Sequence, residues 1–99
     1  MAVTITIRGR LKGDTTSMQK VHDEVTGATK EMARQAGDIS HRVFLSPQDQ
    51  REFLGIDEWQ TAEQARAFSG DPRIRQFFEQ LFESPPTVEA WEESGWNQW

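Results

Sequence analysis

The hydrophobic pattern changes its period abruptly within residues 51–78, and this change constrains the fold more than any other feature of the sequence. Strand-like alternation runs up to Trp59, and a helical pattern follows from Thr61. Thr61 with Gln64 three residues later matches the capping box that begins many helices. A strand therefore ends at Trp59 just before a helix opens, which is where small α/β domains often hold a pocket. One side of this strand carries Phe53, Gly55, Asp57 and Trp59.

Three further strands are predicted around this stretch. Strict alternation over Val3–Arg10 and Ile39–Leu45 indicates two of them, and a short third is predicted at Val88–Glu93. Two helices separate the strands, and the second is interrupted at Ser69–Pro72. The order is βαββαβ, which predicts an α+β, ferredoxin-like domain with an antiparallel four-stranded sheet and both helices on one face. We expect one such domain over residues 1–99.

The first helix is indicated by apolar residues at helical spacing from Met18 onward. Asp14, Thr15 or Thr16 can cap its start, and Gly37 is placed just past its end. Gly27 lies inside this helix, where glycine costs about 1 kcal/mol relative to alanine. That cost predicts a close contact with another element at Gly27.

Alternation also divides the strand residues between the two faces of the sheet. We assign one apolar set to the face that the helices cover, namely Val3, Ile5, Ile7, Leu54 and Ile56. The opposite face then carries Thr4, Thr6, Arg8, Phe53, Gly55, Asp57 and Trp59. This second set is too aromatic to leave in water, so two copies are expected to stack these faces. The sequence therefore predicts a homodimer with its pocket between the two sheets.

Composition excludes several classes of function. The formal net charge is −5, whereas nucleic-acid binding requires a basic surface, so no nucleic-acid partner is expected. No apolar run approaches the roughly 20 residues of a membrane span, and no secretory leader is recognisable, so we expect a cytoplasmic protein without a membrane contact. The chain has no Cys and no paired histidines at metal-binding spacing, so no metal ion and no other cofactor is expected.

The strand pattern and the run IDEWQTAEQARAFSGDPRIRQFF together resemble the antibiotic biosynthesis monooxygenase-like family of dimeric α+β barrels. In that family a strand ends with an acidic residue, a spacer and Trp or Tyr, and Asp57 or Glu58 with Trp59 matches this. Ala65 lies near the family's helix Ala. Residues 71–73, Asp-Pro-Arg, fall where the family has a Ser-Pro-His-like step.

The same resemblance identifies positions at which this chain departs from the family. Cofactor-free, quinone-forming members use an Asn four residues before the strand-end Trp, and the corresponding residue is Gly55. Haem-degrading relatives use a helix His as the iron ligand, and the comparable position is Phe68. The chain contains no Tyr. The resemblance therefore implies the fold more directly than it implies a reaction.

Four residues are candidates for contact with a substrate through their aromatic or small side chains. Trp59 is either the aromatic wall of a pocket or a core anchor at the end of the strand. Gly55 favours a pocket, because the missing side chain leaves room beside the indole. Phe53 and Thr6 lie on the same predicted face and complete this set.

Charged and titratable residues provide the candidates for chemistry. Arg8, Arg42 and Asp57 are predicted to project into the space between subunits, where a guanidinium would stabilise a substrate anion. The alternative is that an Arg and the Asp form an ordinary ion pair across neighbouring strands. His41 is a candidate general base, although its alternation with Ile39 and Val43 points toward the helix layer. His22 is expected at the surface.

Two functions remain open from the sequence. The resemblance implies a cofactor-independent monooxygenase that acts on a flat aromatic or polyphenolic small molecule. Trp59 would then position the ring, Arg8 or Arg42 would offset the anion, and Asp57 or His41 would handle the proton. The alternative is a non-catalytic dimeric module of the same fold that binds a small molecule or another domain.

Overall fold

The computed structural model describes residues 2–99, so Met1, the first residue of the predicted domain, lies outside the described residues. The elements follow the predicted order, with the second helix present as two pieces. They are β1 (Val3–Arg10), α1 (Thr15–Ala36), β2 (Asp38–Leu45), β3 (Glu52–Trp59), α2 (Ala62–Ser69), α3 (Pro72–Leu81) and β4 (Thr87–Trp91). The predicted α+β, ferredoxin-like arrangement is confirmed. Within residues 2–99 each helix is too short or too polar to cross a lipid bilayer.

The helices begin and end at the residues that local chemistry indicates. Each starts at a side-chain oxygen that accepts a hydrogen bond from a backbone N–H of the first turn: Asp14 for α1, Thr61 for α2 and Asp71 for α3. Pro72 occupies the first turn of α3, where its missing N–H leaves no bond unmade. Gly37 ends α1 with a φ of 121°, a conformation that favours glycine.

The four strands form one antiparallel sheet in the order β2-β3-β1-β4. In the β1–β3 pair, Val3 lies opposite Trp59 and Ile5 lies opposite Asp57. Because directly paired residues share a face, these four side chains point the same way, toward the helices. The prediction that Trp59 and Asp57 lie on the face away from the helices was therefore wrong.

The same correction applies to the other members of that side of β3. Phe53 and Gly55 are buried beneath the helices, while Leu54 and Ile56 lie on the uncovered face. Alternation correctly separated the two sides of β3 but assigned each side of this strand to the wrong face of the sheet. The assignment of Val3, Ile5 and Ile7 of β1 to the helix-covered face was correct. Both sets contain large apolar side chains, and the aromatic set is buried in the core, where more apolar area leaves water.

The uncovered face, called the open face below, keeps an apolar surface despite this exchange. Trp91 of β4 is 53% exposed, and its indole Nε1 donates a hydrogen bond to Thr6 Oγ1 at 2.9 Å. Phe44 of β2 is 39% exposed, and the Arg42 guanidinium lies 4.9 Å from its ring centroid. The strands contribute to the open face Thr4, Thr6, Arg8, Arg42, Phe44, Leu54, Ile56 and Trp91.

Two buried clusters form the core on the helix side of the sheet. One consists of Val3, Ile5, Trp59 and Ala65, and the other of Leu11, Phe53, Leu81 and Phe82. Helix α1 contributes no fully buried residue, so it covers the sheet loosely. A Cβ placed on Gly27 would meet no other atom within 4 Å, so the predicted close contact there was wrong. The loose cover of α1 leaves a cavity between this helix and the sheet.

Candidate functional site

A cavity of about 360 Å³ lies between α1, the helix-facing side of the sheet, and helices α2 and α3. Its volume falls within the range of small-molecule pockets, roughly 300 to 1,000 Å³. Its wall is mostly apolar, with polar side chains gathered on the side formed by β2, β3 and α1. The candidate residues from the sequence that line it are His41, Phe53, Gly55, Asp57 and Trp59.

Trp59 satisfies both sequence interpretations at once. Its side chain is 3% exposed and belongs to the core cluster with Val3 and Ala65. Its ring centroid lies 5.2 Å from that of Phe68, with the planes tilted by 48°. The indole also forms part of the cavity wall, and it packs against Ala65 and Phe68 of α2.

His41 and Asp57 form the closest polar contact in the cavity wall. His41 Nδ1 lies 2.6 Å from Asp57 Oδ1, across the pairing of β2 with β3. Asp57 is 7% exposed, and its hydrogen bond raises the pKa of His41 above the ordinary value. A buried carboxylate that orients an imidazole is the usual arrangement of a histidine general base. The predicted orientation of His41 toward the helix layer is confirmed.

Asp38 joins this pair because of an irregularity in β2. Asp38 lies opposite Trp59, Ser40 lies opposite Glu58, and the strand shifts register between them at Ile39. Without this bulge, residues 38 and 41 would point to opposite faces. With it, Asp38 also lines the cavity. Burial, followed by the neighbouring Asp57 carboxyl, raises the pKa of Asp38 to about 8.

His22 of α1 reaches the same cluster from across the cavity. Its Nε2 lies 3.1 Å from His41 Nε2, and its Nδ1 lies 3.0 Å from Asp23 Oδ1. The His22 side chain is only 12% exposed, so the prediction of a surface position was wrong. The side chains of Asp38, Asp57, His41, His22 and Asp23 thus form one continuous polar cluster.

The arginines expected in the pocket lie elsewhere. Arg8, Arg42 and Thr6 lie on the open face, as predicted, but Asp57 lies on the helix-facing side, so these three residues do not share a site with it. Asp57 pairs with His41 and not with an arginine. The cavity instead has basic side chains from α1, and both Lys30 and Arg34 line it.

Sequence reasoning missed four residues of this site: His22, Lys30, Arg34 and Asp38. The three helix residues carry a partial signal, because positions 22, 26, 30 and 34 recur at the spacing of one helical face. The signal was obscured because that face is polar as well as apolar. Asp38 carried no signal, because a bulge in a strand leaves no mark in a short alternating pattern.

The sequence model of the family described as "Antibiotic biosynthesis monooxygenase" matches residues 4–80. The chain belongs to this family. A search of curated proteins found no match for it.

Solved structures of low sequence identity share the family fold. A monooxygenase from the gene ActVA-Orf6 of Streptomyces coelicolor, in complex with Nanaomycin D, has a TM-score of 0.72 and 19% identity, covering 98% of this chain and 91% of its own. SnoaB, a cofactor-independent oxygenase from Streptomyces nogalater, has a TM-score of 0.67 and 20% identity over 90% and 87% of the two chains. A conserved protein from Methanosarcina mazei Go1 has a TM-score of 0.70 and 9% identity over 95% and 94%. At these low sequence identities, the likeness to the solved structures establishes the fold of this chain alone.

Proposed function

We propose that this protein is a cofactor-independent monooxygenase that acts on a flat aromatic or polyphenolic small molecule bound in the cavity beneath α1. The observation that carries the proposal is the His41–Asp57 pair, with its 2.6 Å hydrogen bond, in the wall of a mostly apolar cavity. Membership of the monooxygenase family and the described oxygenase activity of SnoaB support the reaction class.

The chemistry requires a base and a site for an anion. Removal of a proton from the substrate would yield a phenolate or enolate, which can pass an electron to O₂. The resulting radical pair would combine to a peroxide, and loss of water would leave a carbonyl at the oxidised carbon. In sum, one CH₂ group and one O₂ give one C=O group and one water, so the substrate supplies all the electrons.

Different residues of the cavity would accept the proton, stabilise the anion and position the ring. Asp57 holds His41 Nδ1, which leaves Nε2 as the nitrogen that takes the substrate proton. Lys30 and Arg34 line the cavity and would stabilise the substrate anion, which is the role that the sequence suggested for Arg8 or Arg42. Trp59 supplies a flat, rigid wall for a ring.

Oxygen uptake with an anthrone and with a dihydroquinone tests the proposal. General-base catalysis contributes about 100-fold to 10,000-fold, so His41→Gln should lower kcat by at least about 100-fold. Ala33→Phe should abolish turnover by filling the cavity, since Ala33 lies in its wall. Ala28→Phe is the matched control, because Ala28 lies on the exposed side of the same helix. Equal rates for both phenylalanine variants, or no uptake by the unmodified protein with either substrate, would contradict the proposal.

A non-catalytic binding module is the second candidate function. It is favoured by Gly55, which stands where the resemblance implies a substrate-binding Asn, and by the role of Trp59 as a packed core residue. In this case the anthrone would quench tryptophan fluorescence with saturation, and Ala33→Phe would remove that quenching. Oxygen uptake would stay at the rate of the uncatalysed reaction.

We further propose that two copies of the chain associate through the open face. Each cavity would then lie within one subunit, between helices and sheet, instead of between subunits. The support is the apolar surface formed by Phe44, Leu54, Ile56 and Trp91.

A further inference from the structure

We infer that His22 and His41 share one proton between their Nε2 atoms and act as a single ionisable unit, in which His22 is the positioning residue that sets the protonation of His41. The shared proton follows from geometry alone. Only its consequence for catalysis rests on the proposed function.

The two rings meet edge to edge. Their planes differ by 18°, and their Nε2 atoms lie 3.1 Å apart, much closer than the ring centroids at 5.2 Å. In nearly coplanar rings at this separation, the lone pair of one nitrogen points toward the other nitrogen. This is the geometry of an N–H···N hydrogen bond.

The outer nitrogens of both rings are committed as donors. His41 Nδ1 contacts Asp57 Oδ1 at 2.6 Å, and His22 Nδ1 contacts Asp23 Oδ1 at 3.0 Å. A carboxylate only accepts hydrogen bonds, so each Nδ1 must carry a hydrogen. The hydrogen bond from His22 lowers the pKa of Asp23, which keeps that carboxyl in the accepting form.

The inner nitrogens then fix the proton count. With both rings neutral, two lone pairs would face each other across 3.1 Å; with both rings fully protonated, two N–H groups would do so. One proton between the Nε2 atoms is the arrangement that makes the contact favourable. His22 and His41 together therefore carry three protons and one positive charge.

The groups around the pair are consistent with one positive charge. From α1 come Asp23 and the hydroxyl of Thr26, which lies 3.3 Å from His22 Nε2. From β2 and β3 come Asp38 and Asp57, and from the same helix as His22 come Lys30 and Arg34 further along the cavity. The remaining neighbours are uncharged rings, Phe53 of β3 and Phe77 of α3, each 6.1 Å from the His22 ring centroid.

This unit has a consequence for the cavity. While the proton is shared, the pair presents a cation to the cavity and favours an acidic phenol or another anionic ligand. When the shared proton is lost, both Nε2 atoms have free lone pairs, and His41 Nε2 can accept a substrate proton that it then shares with His22. The pair can therefore act as a base only in the form that has lost the shared proton.

Nitrogen-15 NMR of the ligand-free protein tests the inference directly, because these are the only two histidines of the chain. Imidazole signals are followed from about pH 5 to about pH 9, the range in which histidine titrates. We expect both rings to shift in the same two steps, with both Nδ1 atoms protonated throughout, because strongly coupled groups titrate as a unit. Independent single-step curves for the two rings would overturn the inference.

Variants separate the shared proton from a structural role of His22. In His22→Gln, His41 should titrate in one step, with its midpoint moved by more than about 1 pH unit. Glu24→Gln, an exposed charge change beside the pair on α1, should keep the two-step pattern. An unchanged His41 curve in His22→Gln would overturn the inference.

Asp23→Asn provides an independent variant: the Asp23 side chain is 62% exposed, so we expect its replacement to leave the fold intact. Loss of the negative charge beside His22 Nδ1 should move the first step to lower pH, and an unmoved step would count against the inference. Coupled titration in a protein that shows no oxygen uptake would reject the proposed function and leave the shared proton standing. Oxygen uptake by a protein whose two histidines titrate independently would support the proposed function and reject the shared proton.

Discussion

The cavity wall contains an ionisable side chain whose charged form is unfavourable in its surroundings, namely the carboxyl of Asp38. Its carboxyl lies beside that of Asp57, and its Oδ1 is buried without a hydrogen-bond partner among residues 2–99. Removing a charged carboxyl from water is unfavourable, and a second carboxylate nearby adds repulsion. Asp38 therefore binds its proton more tightly in the folded protein than in the unfolded chain.

The raised pKa of Asp38 predicts how its contribution to stability depends on pH. Its stabilisation is present below the ordinary pKa of 3.8 and is lost as the pH rises through about 8. Asp38→Asn keeps the shape and removes the charge. We expect the variant to be more stable than the unmodified protein at pH 9, by roughly 1–2 kcal/mol because partial solvation screens the charges. Urea denaturation at pH 5 and pH 9 measures the difference, which should shrink at pH 5.

Glu58→Gln is the control for this prediction. It removes the same formal charge from the neighbouring strand, but Glu58 is exposed and lies on the open face. Its effect on the free energy of unfolding should change little between the two pH values. A difference for Asp38→Asn that grows toward pH 5 would contradict the assigned direction.

Trp59 must be tested by a conservative change, because it is both cavity wall and core. Trp59→Ala would remove most of a buried indole and cost about 3–5 kcal/mol, enough to unfold many small domains. Trp59→Phe should cost about 1–3 kcal/mol and leave a folded protein. If the indole positions the substrate, oxygen uptake by this variant will show a raised KM or a lowered kcat. Its circular-dichroism spectrum should stay close to that of the unmodified protein, which shows that the fold is kept. Unchanged kinetic constants would leave Trp59 as a core residue alone.

At the scale of elements, the site depends on how β2 and α1 depart from regularity. The bulge at Ile39 brings Asp38 and His41 to one face, and the loose packing of α1 leaves space above them. Neither feature follows from the sequence. Alternation over Ile39–Leu45 predicted the orientation of His41, but the approach of His22 across the cavity depends on tertiary packing between residues 19 positions apart.

The faces of β3 show the same limit from another side. The sequence indicated correctly that Phe53, Gly55, Asp57 and Trp59 point in one direction. It could not decide which direction, because Leu54 and Ile56 make the other side equally apolar. Pairing with Val3 and Ile5 of β1 decides it, and pairing is a property of the folded sheet. The cavity consequently lies within the chain, on the helix-facing side of the sheet.

Two glycines, one inside α1 and one at its end, should respond oppositely to alanine. Gly27→Ala should stabilise the protein by about 0.5–1 kcal/mol, because alanine favours the helix and its Cβ would meet nothing within 4 Å. Gly37→Ala should destabilise it by more than about 1 kcal/mol, because φ is 121° and the new Cβ would collide with the Gln64 side chain. Thermal unfolding of both variants measures this, and a Gly27→Ala variant less stable than the unmodified protein would show an unrecognised partner for that face of α1.

At the scale of the whole molecule, the sheet has one face in the core and one face uncovered. The open face carries Phe44, Leu54, Ile56 and Trp91 among polar residues, a composition typical of an interface core with a polar rim. The edge strand β4 extends it, since Trp91 is tied to Thr6 by its indole hydrogen bond. A second copy related by two-fold symmetry would present the same set of residues in return.

Ile56→Lys tests this association at the centre of the open face. Burying an unpaired ammonium group in an interface is strongly unfavourable, so we expect the variant to elute as a monomer where the unmodified protein elutes as a dimer in size-exclusion chromatography with light scattering. Val88→Lys is the matched control, because Val88 is exposed on a strand but belongs to the helix-facing side of β4. It should remain dimeric. A monomeric unmodified protein at micromolar concentration, or equal dissociation of both variants, would rule out the open face as the interface. Because the cavity lies on the other side of the sheet, ligand binding in the cavity should be the same in the Ile56→Lys variant as in the unmodified protein.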